Sequence, residues 1–278
     1  MTYFKLLGVF EVTSDANGAL SAGRSATPRA PKVRGVLALL LLQANRVVHV
    51  ETIIEELWGP NPPRSAVTIV QTYIYHLRKI FAAENLDPPG KPLLATRSPG
   101  YLLHAEPEQV DAEVFERLVQ EGRDLKEKDR PRQAAAALSR ALGMWTGPAL
   151  ADVPQGRLLQ AHAVHLEELR INALELRVQA DMAMGKHREL IAELRSLTCA
   201  HPFHEWFHGQ LITVLSRSGR RSEALQAYQS LRALLSEELG VDPSPALQQL
   251  QQHVLALGAP DRCPPLRAGR SKPLGLAS

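Results

Sequence analysis

The sequence predicts a mainly α protein with a small β component, in which a mixed N-terminal unit precedes an all-helical repeat domain. Short strand-like segments flank three helical segments in residues 1–105, whereas Ala and Leu recur at helical spacing from Pro107 onward. The formal charge changes at the same place, from +4 in residues 1–105 to −4 in residues 106–258. We therefore predict domains at 1–105 and 106–258, followed by a disordered tail at 259–278 that is rich in Pro, Gly and Arg.

The N-terminal unit begins with strand-like sequence and continues into two helices. Aromatic and β-branched residues predict one strand over residues 3–12, and the Gly-, Ser- and Ala-rich residues 14–30 predict turns with short strands. Pro31 suits the first position of a helix, whose apolar body spans residues 32–43. A second helix over Glu51–Trp58 stops at Gly59-Pro60.

A third helix and a hairpin complete this unit. Asn61-Pro62-Pro63 predicts a stiff turn, and a helix follows over Ser65–Phe81. A break at residues 87–90 precedes two short strands at residues 93–96 and 101–104, which flank the turn signal Arg97-Ser98-Pro99-Gly100. Strands, three helices and a terminal hairpin in this order predict a winged helix-turn-helix, whose third helix lies in the major groove of DNA.

The third helix has an apolar stripe and an opposite polar face. At about 100° per residue, the stripe that we expect to face the core consists of Val67, Val70, Ile74, Leu77 and Phe81. The polar face lacks carboxylates, unlike an ordinary solvated helix face, and its hydroxyl, amide, imidazole and basic groups suit base edges and phosphates. The predicted DNA-reading residues are Ser65, Thr68, Gln71, Thr72, Tyr75 and His76.

Basic residues around this face are candidates for phosphate or minor-groove contacts. They are Arg64, Arg78 and Lys79 on or beside the third helix, Arg97 at the tip of the wing, and Lys32 in the first helix. Because residues 1–105 contain this whole set, we expect that fragment to fold and to bind a single half-site.

The second half reads as a stack of helices with a repeat. Predicted helices span residues 111–128, 131–144, 155–184, 187–200, 205–217, 222–239 and 245–257. Gly185 and Gly219, which each end a helix, are 34 residues apart, and this is the tetratricopeptide (TPR) period. Apolar positions after the two glycines align, and residues 129–141 offer a weaker third copy. Such a TPR-like stack is typical of protein-binding domains.

Several classes of protein and site are disfavoured. Membrane spans and a secretory leader are not expected, and Cys199 and Cys263, far apart in sequence, fit a reducing compartment and support neither a zinc site nor a disulfide framework. His204 and His208 are spaced for one face of a helix, with His201 nearby, but no carboxylate or cysteine completes a metal set. We therefore predict no metal, no cofactor and no enzymatic activity, since nucleotide-binding loops and nucleophile motifs are also absent.

Motifs in both halves resemble one bacterial family. The N-terminal stretches are similar to the OmpR-type winged helix of Streptomyces antibiotic regulatory proteins (SARPs). They are PKVRGVLALLLLQANRVVHVETIIEELWG, PPRSAVTIVQTYIYHLRKIF and LLATRSPGYLL. The second half resembles the bacterial transcriptional activation domain of that family through MWTGPALADVP and GRRSEALQAYQSLRALLSEELGVDPSPALQQLQQHVL. The resemblance covers roughly residues 3–258 in the family's order.

This resemblance implies a cytoplasmic, nucleoid-associated activator of a gene cluster for a secondary metabolite such as an antibiotic. Family members bind direct repeats of double-stranded promoter DNA near the −35 region, as head-to-tail homodimers. They recruit RNA polymerase holoenzyme through region 4 of its sigma factor, with the alpha C-terminal domain as a second candidate contact. Larger relatives add an ATPase and a sensor domain; this sequence lacks GxxxxGK[ST] and a receiver domain, so neither nucleotide binding nor phosphorylation by a partner kinase is implied.

Two other functions compete with this interpretation. In the first alternative the chain is a scaffold whose winged helix binds protein, or binds DNA only architecturally. Footprinting on a promoter with a repeated half-site would distinguish this scaffold from a sequence-specific activator. An enzyme is the second alternative, disfavoured by the missing catalytic motifs.

Overall fold

The computed structural model describes residues 2–14, 24–87 and 92–256. Before residue 105, the elements in chain order are β1 (Thr2–Lys5), β2 (Glu11–Ser14), β3 (Arg24–Ser25), α1 (Pro31–Leu42), β4 (Val47–His49), α2 (Val50–Trp58), α3 (Ala66–Ala83), β5 (Leu94–Arg97) and β6 (Gly100–Leu103). After a 3₁₀ turn, the helices are α4 (Asp111–Glu127), α5 (Pro131–Leu142), α6 (Arg157–Ala183), α7 (His187–Ala200), α8 (Glu205–Arg217), α9 (Arg221–Leu239) and α10 (Pro245–Ala256). The predicted mainly α class is confirmed.

The first sheet consists of β1, β2 and β3 in that order, all antiparallel. The prediction of one strand over residues 3–12 is wrong, because the chain turns back between Lys5 and Glu11. Gly8 lies in this turn at φ +150°, and a Cβ there would lie 2.0 Å from Thr146 Oγ1, which requires glycine. Of the turns and short strands predicted for residues 14–30, β3 is present, and residues 15–23 lie outside the described residues.

The three helices and the second sheet form the predicted winged helix-turn-helix. The second sheet has the order β4-β6-β5, and the β5–β6 hairpin ends in the pair Arg97 and Gly100. As predicted, α1 begins at Pro31, and α2 ends before Gly59, whose φ is +57°. The prediction omitted β4, a strand of three residues that pairs with the wing strand β6.

The helices of the second half end within two residues of their predicted bounds, and Leu257 lies outside the described residues. Gly185 and Gly219 both adopt left-handed φ angles, +76° and +79°, between consecutive helices. Asp129 does the same at φ +54° between α4 and α5, so the weaker third copy has the same turn geometry. The residue five positions after each turn is buried: these are Ala134, Leu190 and Ala224.

The chain divides into two compact units, unit 1 (residues 1–185) and unit 2 (residues 186–278). In unit 1, one continuous hydrophobic core runs from Phe4 and Leu37 of the winged-helix part to Leu138 and Leu166 in the helices that follow. The packing boundary therefore lies at residue 185, whereas residue 105 marks a change in sequence character. The predicted tail at 259–278 lies outside the described residues.

Two partly buried carboxylates tie the turn between β1 and β2 to later parts of unit 1, namely the start of α4 and the segment between α5 and α6. Asp111, at the start of α4, accepts hydrogen bonds from the backbone N–H groups of Leu6 and Leu7 at 2.7 and 3.1 Å. Burial raises the pKa of Asp111 to about 6, although these hydrogen bonds act in the opposite direction. Asp152 accepts the N–H of Phe10 at 2.7 Å, so the turn after β1 depends on residues more than 100 positions away.

A third carboxylate, that of Glu56 on α2, caps the N-terminus of α6. It is buried and accepts the N–H groups of Leu158 and Leu159 at 2.7 and 3.1 Å. Since the first N–H groups of a helix have no partner within it, the carboxylate satisfies two of them at the positive end of the helix dipole. A Cβ at Gly156 would lie 2.1 Å from the Glu56 carbonyl oxygen, so the two segments are in close contact.

Unit 2 consists of α7 to α10 with its own buried side chains. The helices α7, α8 and α9 pack consecutively, and α10 packs against α8 and α9. Leu194, Phe207 and Leu231 are fully buried. Arg221 of α9 donates to the carbonyl oxygens of Val254 and Leu255 at 2.9 and 2.6 Å, which satisfies the C-terminal end of α10.

Candidate nucleic-acid interface

The exposed face of α3 carries the residues that were predicted to read DNA. The predicted residues on or beside α3 that are exposed are Arg64, Ser65, Thr68, Gln71, Thr72, Tyr75, His76, Arg78 and Lys79. No Asp or Glu occurs within Ala66–Ala83. This face therefore presents hydroxyl, amide, imidazole and cationic groups to solvent without a carboxylate that would repel phosphates.

The buried side of α3 differs from the prediction at one position. Val70, Ile74, Leu77 and Phe81 are buried, as predicted, but Val67 is 51% exposed. Ala66 is buried in its place, and its N–H donates to the Pro63 carbonyl oxygen at 2.9 Å in the turn that begins the helix. The prediction that Val67 belongs to the core is therefore wrong, and the valine adds an apolar group to the exposed surface.

Side chains on the exposed face are partly preorganised. The Thr72 hydroxyl donates to the Thr68 carbonyl oxygen at 2.9 Å, one helical turn earlier, so its oxygen remains an acceptor toward solvent. The rings of Tyr75 and His76 lie with their centroids 6.1 Å apart. Each of these flat side chains combines an apolar ring surface with a hydrogen-bonding group, the hydroxyl of Tyr75 and the ring nitrogens of His76.

Arg78 joins α3 to the wing. Its Nε donates to the Leu94 carbonyl oxygen at 3.1 Å, and its Nη2 donates to Thr96 Oγ1 at 2.8 Å, both on β5. This geometry gives Arg78 a positioning role, and its contact with a phosphate stays a prediction. On the other side of the wing, a Cβ at Gly100 would lie 1.9 Å from the Val48 carbonyl oxygen, so β6 lies tightly against β4.

The two remaining cationic candidates lie on other elements. Arg97 is exposed at the end of β5, next to the turn whose Pro99 carbonyl oxygen accepts the N–H of Val50 at 3.3 Å. The wing tip is thus attached to the start of α2. Lys32 is half-buried in α1, and its Nζ lies 4.6 Å from the centroid of the Trp58 ring. This cation–π contact accounts for Lys32 structurally, and a role in DNA binding stays a prediction.

The two histidines that the sequence spaces for one helix face, His204 and His208, contact protein groups. His208 Nε2 lies 2.9 Å from the Pro202 carbonyl oxygen, and the His204 ring lies 4.4 Å from the Phe207 ring. Burial lowers the pKa of His208. Within residues 2–14, 24–87 and 92–256, no cluster of three or more His, Cys, Asp or Glu is arranged to hold a metal ion. In the same residues, no helix is long and apolar enough to cross a membrane.

Comparison with known proteins gives matches in both halves. Residues 25–103 match the family "Transcriptional regulatory protein, C terminal", and residues 110–255 match "Bacterial transcriptional activator domain". The chain is 43% identical over 236 residues to the regulatory protein DnrI of Streptomyces peucetius, covering 84% of this chain and 87% of DnrI. The chain belongs to the SARP family. The resemblance that the motifs indicated is confirmed.

Two further relatives are longer than this chain. This SARP regulator is 37% identical over 225 residues to the regulatory protein AfsR of Streptomyces griseus, and the matched region is 81% of this chain but 22% of AfsR. A solved structure of EmbR from Mycobacterium tuberculosis, in complex with a low-affinity phosphopeptide, matches with a TM-score of 0.82 at 34% identity. It covers 92% of this chain and 65% of the EmbR chain. These relationships identify a DNA-binding transcriptional regulator of the activator type.

Proposed function

We propose that this SARP regulator binds direct repeats near the promoter −35 region and recruits sigma-containing RNA polymerase. In doing so it switches on a biosynthetic gene cluster for a secondary metabolite such as an antibiotic. The observation that carries the DNA-binding part is the exposed face of α3, which holds donors, acceptors and cations without a carboxylate. Family membership supports the regulatory part, since the relatives DnrI and AfsR are regulatory proteins.

In this proposal α3 lies in the major groove and reads base edges. Gln71 presents an amide that suits the N6 and N7 atoms of adenine, the Thr68 hydroxyl suits either a donor or an acceptor, and the Thr72 hydroxyl oxygen suits a donor such as a base amino group. Arg64 and Lys79, near opposite ends of α3, bind phosphates, and Arg97 on the wing reaches the backbone or the adjacent minor groove.

The direct repeats require two copies of the chain on DNA. A head-to-tail homodimer places one winged helix on each half-site, in the same orientation. When half-sites are separated by about one helical turn, roughly 34 Å, both copies of α3 approach the same side of the duplex. Cooperative binding of this kind raises operator affinity without any new base contact.

In this proposal the regulator is cytoplasmic and associated with the nucleoid. It recruits RNA polymerase through the helices of residues 106–258. Residues 106–258 carry 17 Lys and Arg against 21 Asp and Glu, and this net negative charge disfavours DNA as their partner. TPR-like stacks typically bind proteins, so region 4 of sigma is the proposed partner, with the alpha C-terminal domain as a further candidate.

A double substitution on α3 tests the DNA-reading assignment. Thr72→Ala with His76→Ala is expected to cost roughly 1–3 kcal/mol for each lost base contact and to relax the sequence preference. Both side chains are exposed, so the fold has no need of them. The measurement is the affinity of the full chain for its direct-repeat operator, identified by selection from a random duplex pool, and for a scrambled duplex at the same salt concentration.

A matched imidazole change controls for general effects. His253→Ala removes an exposed histidine on α10, in unit 2, and is expected to leave affinity and selectivity unchanged. If the α3 double variant keeps both properties with its fold intact, α3 is not the reading helix.

A further inference from the structure

Val67 is an exposed valine within the polar face and basic surroundings of α3. Gln71 lies one helical turn further along the same side of α3, Thr68 follows Val67 in sequence, and Arg64 lies in the turn before the helix; all three are exposed. Val67 and Arg78 are eleven residues apart, about three helical turns, so both lie on the same edge of α3. Since Arg78 contacts β5, this edge of α3 faces the wing. Val67 lies on the same edge, near the N-terminal end of the helix.

Neither packing nor helix formation accounts for this valine. Ala66 holds the neighbouring core position, and β-branched residues lower helix propensity slightly. Exposed valines are common on protein surfaces, and Val164 on α6 is another, 58% exposed. The inference about Val67 therefore rests on the position of this valine among the DNA-reading residues and not on its exposure.

We propose that Val67 packs against the C5-methyl group of a thymine in the major groove, which makes one position of the half-site selective for thymine. This inference rests on the proposed DNA-binding function. The thymine methyl group is the apolar feature that a base pair presents in the major groove. The N-terminal part of a recognition helix contacts base edges, and Val67 is the second residue of α3.

The spacing to Gln71 fits two contacts along one groove. The two residues are four positions apart on the same side of the helix, about 6 Å along its axis, which is near two base-pair steps of 3.4 Å. Cytosine at the Val67 position would lose the methyl contact and place its N4 amino group against an isopropyl group. Burying that donor without a partner adds discrimination against cytosine.

Deoxyuridine substitution tests this contact, because it removes the methyl group and keeps every hydrogen-bonding group of thymine. The full chain is first used to select its half-site from a random duplex pool. Each thymine is then replaced singly by deoxyuridine. For the unmodified chain, one position is expected to lose about three- to fivefold in affinity, the effect of one buried methyl group. For Val67→Ala, that position is expected to become insensitive to the replacement.

Val164→Ala is the matched control, since it makes the same truncation at similar exposure away from α3. It is expected to keep the deoxyuridine profile of the unmodified chain. Circular dichroism checks that Val67→Ala keeps its helix content. The inference is overturned if no thymine replacement matters, or if Val67→Ala retains the sensitivity, while the chain still prefers its selected half-site. If the unmodified chain shows no sequence preference, the proposed function fails instead.

Discussion

Residues 1–105 alone are expected to lack a cooperative folding transition, whereas residues 1–185 fold as one unit. The fragment ends inside the continuous core that joins the winged helix to α4, α5 and α6. It also leaves the N–H groups of Leu6, Leu7 and Phe10 without the carboxylates of Asp111 and Asp152. The expected loss is comparable to the whole stability of a small domain, about 5–15 kcal/mol. Urea unfolding followed by circular dichroism measures it for both fragments.

This result would correct the expectation, drawn from sequence, that residues 1–105 suffice to fold and to bind a half-site. The smallest fragment expected to bind a half-site is residues 1–185, which keeps unit 1 whole. The full chain serves as the control for both fragments. A cooperative transition in residues 1–105 at a urea midpoint near that of residues 1–185 would show that the winged helix has a sufficient core of its own.

Glu56→Ala is expected to destabilise unit 1 by about 2–4 kcal/mol, since it leaves two N–H groups at the start of α6 without their acceptor and opens a small cavity where the buried side chain lay. Glu56→Gln keeps the shape of the side chain and one acceptor oxygen. Its expected loss in free energy of unfolding is therefore smaller than that of the alanine variant but greater than zero. Equilibrium urea unfolding of the full chain provides the free energies, with the transition of unit 1 fitted separately.

The adjacent residue offers a matched control for Glu56. Glu55 is 60% exposed and its carboxylate lies 3.3 Å from Arg157, so it makes an exposed ion pair with the same helix end. Glu55→Ala is expected to cost less than about 1 kcal/mol. Similar losses for the two alanine variants would contradict the capping role of Glu56.

The elements that were predicted well are those with a strong local signal. The helices of both halves have regular apolar spacing, and Pro31, Gly59, Gly185 and Gly219 mark their ends through backbone preferences that need no partner. The wing was predicted because a turn signal separates two short apolar runs. The strand β4 was omitted because its three residues show too little alternation of apolar and polar side chains to distinguish a strand from the segment that precedes a helix.

Other features depend on contacts between distant residues. The hydrogen bonds of Glu56 span more than 100 positions, and in sequence it is one of three glutamates on a short helix. Val67 was assigned to the core because valine is more hydrophobic than its neighbour Ala66, whereas in the structure Ala66, which is hydrogen-bonded to the turn before α3, is the buried residue. The exposed face of α3 was predictable, because charge and periodicity define it without knowledge of the packing.

Thiol cross-linking from α3 to DNA tests most directly whether this face reads the major groove. The full chain would carry Thr68→Cys in a background with Cys199 and Cys263 changed to Ser, and the selected duplex would carry a thiol tethered to the major-groove edge of single bases. Ser139→Cys, exposed on α5, is the control position. We expect disulfide formation from position 68 at bases within the half-site and none from position 139. Sequence-specific binding without a cross-link from position 68, or equal yields from both positions, would contradict DNA reading by α3.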